Sequence, residues 1–151
     1  MAEHVEANGR LKQIRALVLV DMIADRNLRV LRESNSTPWL SDLVFENARQ
    51  LGYGESFSGQ GFPVEDDHLP FLARGIPAVD IIDLTPLGSY HHTAQDSIDK
   101  CSPESLTVVG RVVLATLAAL ERTGQVPDLC LSGPVGSLRS LILTAHSRHC
   151  E

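Results

Sequence analysis

Residues Ile14–Asp21 read IRALVLVD, an apolar run of strand length that ends in a carboxylate. A run like this has to be buried on both faces, and a sheet covered by helices meets that condition. The chain is therefore predicted to be α/β. Residues Ala78–Ile82 (AVDII) read as a second strand of the same kind. Two amphipathic segments supply the covering layers. Thr37 and Pro38 are placed to cap and open a helix over 38–51, in which Trp39, Leu40, Leu43, Val44, Ala48 and Leu51 recur at three- and four-residue intervals before Gly52. Pro103 opens another over 104–122, with Leu106, Val109, Val113, Leu114, Leu117 and Leu120 on its apolar face.

The intervening segments read less regularly. Residues 2–13 are compatible with a short helix ending near Gly9, and 28–32 with a short strand. Residues 52–63 hold four glycines among polar residues and read as loop, while 69–73 suggest one or two helical turns closed by Gly75. Residues 83–102 form a long polar connection. The reading is of one domain over 1–122, with 123–151 as a weakly ordered tail whose only apolar patch is at 138–143.

Composition narrows the possible partners. The net charge is −6, there is no Lys/Arg run, and aromatic residues make up 5%, so the electrostatic footprint of a nucleic-acid binder is missing. The longest apolar runs, at 16–20 and 112–120, fall short of the roughly 20 residues of a membrane span. The first residues lack the basic-then-apolar pattern of a signal peptide. Cys101, Cys130 and Cys150 are odd in number, far apart and without a CxxC pair, which predicts independent thiols.

Three places could carry chemistry. Asp21 ends a predicted buried strand, where the crevices of open α/β sheets form, although a turn-forming Asp fits there equally. Asp66-Asp67-His68 puts two carboxylates and an imidazole at the lip of a short helix. That arrangement suits either proton sharing or a solvated helix N-terminus. His91-His92-Thr93, with Asp96 and Asp99 nearby, offers imidazoles for zinc on a loop after a strand, or simply surface histidines. No GxSxG elbow, GxGxxG or GK[ST] pattern is present.

The order VLVDMI, VEDDHLPFLARGIPAVDIID, YHHTAQDSIDK and SPESLTVVGRVVL resembles the C-terminal part of the M28 zinc peptidases, the family of aminopeptidases and glutaminyl-peptide cyclotransferases. The similarity extends over roughly residues 10–122. It implies a three-layer zinc-exopeptidase-like core, with a mixed, mostly parallel sheet flanked by helices and incomplete on its N-terminal side. It implies one or two zinc ions, His92 as a zinc ligand, and Asp21 as a second-metal ligand or catalytic acid. Asp66 would join a catalytic hydrogen-bond network, with Asp67 and His68 as supporting groups. The substrates implied are the N-termini of peptides, opened by water or cyclised by the substrate's own amine.

The sequence also departs from that family. His91 stands where the cyclases usually carry Trp. The family's other zinc carboxylate, bridging Asp and Glu-Glu base precede the strand matched by Ile14–Asp21, and residues 1–13 hold no counterpart. The expectation is a truncated, poorly active form of an enzyme whose relatives are often exported. The competing expectation is a non-catalytic α/β remnant acting as an interaction or partner-completed module.

Overall fold

Strand β1 (Ile14–Asp21) lies at the centre of a three-stranded parallel sheet between β4 (Ala78–Ile82) and β5 (Ser140–His146). The computed structural model describes residues 11–123 and 140–146; for Leu87, Gly88, Thr123 and 140–146 it describes the backbone alone. β1 and β4 pair in register from Leu17 opposite Ala78 to Asp21 opposite Ile82. β1 and β5 pair from Ile14 opposite Ser140 to Asp21 opposite His146, with an irregularity between Ile14 and Ala16. Five consecutive residues of β1, Ala16 to Val20, are buried, as the unbroken apolar run requires.

Alternation along the strands separates two faces. Ala16, Val18, Val20, Val79 and Ile81 face a core shared with Leu40, Val44 and Ala48 of α1 (Pro38–Gln50) and with Val109, Val112, Val113 and Leu120 of α3 (Pro103–Thr123). On the opposite face Ile14, Leu17 and Ala78 pack with Ile76 and with Phe71 of the one-turn α2 (Leu69–Leu72). The sheet is therefore the middle of three layers, and both predicted helices lie on the same side of it. Arg15 extends from β1 to donate from Nη2 to Leu120 O at 2.8 Å, satisfying a carbonyl of the last turns of α3.

The described residues correct several expectations. Residues 52–63 are not all loop. Phe57–Gln60 form β3, which pairs in parallel with β2 (Val30–Arg32) as a separate two-stranded sheet. Phe57 is buried edge-on against Phe45, with ring centroids 5.7 Å apart. Glycine is needed at 61 because a Cβ there would stand 3.0 Å from Arg32 O. The connection 83–102 holds two 3₁₀ turns, Thr85–Gly88 and Ile98–Lys100. Thr37 precedes α1 but makes no side-chain cap; its Oγ1 instead accepts from Ala78 N at 3.0 Å, tying the start of the helix to β4.

Ser140–His146 is a strand, where the sequence offered only the patch at 138–143. The helix expected over 2–13 falls largely outside the described residues, which begin with a 3₁₀ turn at Leu11–Gln13. By length and composition α3 could cross a membrane, which the separate apolar runs did not bring out, but Val109, Val112, Val113 and Leu120 are buried in the core, while Leu106 and Leu114, expected on the same face, are exposed.

Cys101 is disulfide-bonded, which overturns the reading of three independent thiols; Cys130 and Cys150 lie outside the described residues.

Candidate active site

The face of the sheet on which α2 packs also carries carboxylates from β1 and β4. Asp21 follows Leu17 and Leu19 on that face, and Asp80 lies opposite Leu19 in the register, so both carboxylates belong to it. Asp21 Oδ1 accepts from Met22 N at 2.9 Å, and Met22 is left-handed with φ 53°. His92 is left-handed as well, at φ 57°, and its ring stacks on His91 with centroids 3.8 Å apart. Among the described residues, these are the two non-glycine positions with positive φ. Each such turn costs on the order of 1–3 kcal/mol, and strain of this kind gathers at functional sites.

The loops bearing Asp21 and His92 are tied together. Tyr90 Oη donates to Asp25 Oδ2, and Asp25 forms an antiparallel bridge with Cys101. Ser102 N donates to Ala24 O at 2.8 Å and Ser105 Oγ to Asp25 O at 2.6 Å. Closer to β4, Asp83 accepts Arg29 N at 2.9 Å. The segment that follows Asp21 is thus fastened to both ends of the segment that carries His91 and His92.

The Asp66-Asp67-His68 run divides by depth. Asp67 is exposed, Asp66 is half-buried, and His68 is fully buried. Asp66 Oδ1 accepts Asp67 N at 2.6 Å and Asp66 O accepts Leu69 N at 3.0 Å, which fixes the entry to α2. Behind them lie two buried carboxylates that the sequence reading did not single out. Glu33 Oε2 is 3.2 Å from His68 Nε2, and Asp80 Oδ2 is 3.9 Å from His68 Nδ1, with all three side chains shut off from solvent. A carboxylate in the middle of the apolar strand AVDII was a legible anomaly; Glu33, within a polar stretch, gave no such signal.

The electrostatics follow from depth. Burial pushes the Asp80 carboxyl up to about 8, and the charges of Asp66, Asp21 and Glu33 add to the effect. Burial also lowers the His68 imidazole below its ordinary value, against the pull of Glu33 and Asp66. A raised carboxyl adds stability at low pH that is lost as pH rises through its folded value. A lowered imidazole adds stability that is lost as pH falls through its unfolded value, 6.5.

Below 6.5 the two effects oppose each other, since the unfolded pair carries a proton on histidine and the folded pair one on aspartate. Above 6.5 the unfolded pair has lost that proton while folded Asp80 keeps it. Stability to urea should therefore fall by about 2 kcal/mol between pH 6.5 and 8. Asp80→Asn should remove that fall. A fall of equal size in the variant would rule Asp80 out as its source.

Zinc requires three protein ligands in a catalytic site. Among the described residues no three His, Cys, Asp or Glu side chains are arranged to hold a metal. His92 and Asp21 are the candidate ligands, and they do not by themselves make a complete set.

Residues 2–117 match the family model for peptidase family M28, so the chain belongs to that family. A glutaminyl-peptide cyclotransferase of Bothrops jararaca is 30% identical over 118 residues, covering 68% of this chain and 32% of its own length. A glutaminyl cyclase of an Acidobacteriales bacterium superposes with a TM-score of 0.76 at 39% identity, over 82% of this chain and 44% of its own. A Zn-dependent exopeptidase of Parabacteroides distasonis does so with a TM-score of 0.62 at 31% identity, over 66% and 38%. The chain spans about a third of the length of the curated relatives it matches.

Proposed function

We propose that this chain carries part of the active site of a zinc-dependent M28 enzyme acting on the N-terminal residue of peptides, as an aminopeptidase or a glutaminyl-peptide cyclotransferase, and that these 151 residues alone are poorly active. The observation behind this reading is the pair of strained turns at Asp21-Met22 and His92 at the ends of adjoining loops. Such turns persist where the surroundings hold a side chain in place for a task. His92 and Asp21 serve as metal ligands, and Asp66 and Asp67 as acidic groups that hold or move protons on the substrate. The names of the relatives favour the cyclase branch. In that branch an N-terminal glutamine loses ammonia as its own amine closes the ring.

The incomplete ligand set favours a second reading, a non-catalytic or partner-completed α/β module. Two measurements on the purified chain separate the readings: zinc affinity by calorimetry, and turnover of an N-terminal glutamine peptide beside a chromogenic aminoacyl amide. Weak zinc binding that His92→Ala abolishes supports the first reading. Zinc binding indifferent to both His92→Ala and Asp21→Ala would sink it.

A further inference from the structure

The Glu33, His68 and Asp80 side chains are each shut off from solvent, yet no hydrogen bond of good geometry reaches either ring nitrogen of His68 or either carboxyl oxygen of Asp80. Polar groups left in this state cost several kcal/mol unless they find partners. The partners are close by. Nε2 is within hydrogen-bond distance of Glu33 Oε2, and the 3.9 Å from Nδ1 to Asp80 Oδ2 is about 1 Å longer than a direct bond. That gap is also too short for a bridging water, which would hold its neighbours roughly 4.5 Å apart.

We infer that Glu33, His68 and Asp80 form a buried proton-sharing chain that clamps the Asp66–His68 segment onto β4. Neutral His68 donates from Nε2 to the Glu33 carboxylate and accepts at Nδ1 from the protonated carboxyl of Asp80. The chain then holds two protons and one negative charge. The charged groups near the ring are Glu33 at Nε2, Asp80 at Nδ1 and Asp66, and Asp80 is itself exposed to the fields of Asp66, Asp21 and Glu33; burial outweighs their pull toward a charged ring. An imidazolium between two carboxylates would separate more charge in the same dry space, at a higher desolvation cost.

Glu33 carries the clamp further. Its oxygens also accept from Asn35 N, Ser36 N, Ser36 Oγ and Val64 N, and Ser36 Oγ accepts from Asp80 N at 3.0 Å. Two loops and β4 thus meet at one carboxylate, and Asp66 stands two residues from the imidazole they hold. The value of the clamp for Asp66 rests on the functional reading above; the proton placement does not.

The test uses the full chain with ¹⁵N-labelled histidine, without zinc or substrate. The His68 signal is assigned among the six histidines by its loss in His68→Asn. The expected result is a neutral ring protonated at Nε2 alone, unchanged from about pH 5.5 to 7.5. Asp80→Asn, whose amide can still donate to Nδ1, should keep that signature, and Asp80→Ala should lose it. A doubly protonated His68 at neutral pH, or ordinary titration with both tautomers exchanging, would overturn the assignment on the unmutated protein alone. Because no arm depends on turnover or metal, an inactive chain leaves this result standing, and a failed signature leaves the enzymatic reading standing.

Discussion

Assayed alone at saturating substrate, the 151-residue chain is expected to cyclise N-terminal glutamine, or release an N-terminal residue, at least about 10²–10⁴-fold more slowly than the Acidobacteriales glutaminyl cyclase under the same conditions. Loss of a general base, as the proposal has it, accounts for that factor by itself. A metal deficit would add to it, since Lewis-acid activation needs an ion held by three protein ligands and the proposal names two, His92 and Asp21. The side-by-side rate, with zinc titrated from none to excess, is the measurement. Zinc-dependent turnover within about tenfold of the reference would overturn the proposal of a poorly active chain, and His92→Ala would then decide whether that residue binds the metal.

The parts of the fold that were legible in sequence are those whose signal is local. β1 and β4 are apolar runs that carry their own burial requirement, and α1 and α3 repeat apolar residues at helical spacing, so each could be read without knowing its neighbours. β3 could not. Its residues Phe-Ser-Gly-Gln are a strand because β2 lies alongside and Phe45 receives Phe57, and with only Phe57 buried there is no alternation to read. Ser140–His146 became a strand by pairing with β1, a partner over a hundred residues away.

The site shows the same division. Asp21 and the histidine pair were visible because strand ends and imidazoles announce themselves. Asp66, Asp67 and His68 were visible only as a run, and their separation by depth depends on how α2 packs against the sheet. Glu33 was invisible because its significance comes from donors at 35, 36 and 64 and from a buried ring at 68, which the chain brings together only on folding.

Glu33→Ala is expected to destabilise the protein by about 3–5 kcal/mol in urea, a large share of the roughly 5–15 kcal/mol available to a domain. Glu33 is 3% exposed, with its carboxylate shut off from solvent and accepting from three backbone N–H groups and one hydroxyl, at 2.7–2.9 Å. Alanine leaves those donors and the His68 Nε2 without an acceptor in a site that water does not reach, and each orphaned group costs about 1–3 kcal/mol. Glu33→Gln retains one carbonyl acceptor, turns an amide toward the remaining donors, and should fall between the two.

The effect should also depend on pH in a definite direction. Burial is the largest influence on the Glu33 carboxyl and raises it, but the donors at Asn35, Val64 and Ser36 together with His68 outweigh burial and leave it below its ordinary 4.5. A lowered carboxyl contributes stability that is complete above the unfolded value and is lost as pH falls through the folded one. The difference between wild type and Glu33→Ala should therefore be constant above about pH 4.5 and shrink in acid. A difference under about 1 kcal/mol at neutral pH, where ordinary surface substitutions fall, would mean that Glu33 does not hold the loops and His68 together as its hydrogen bonds imply.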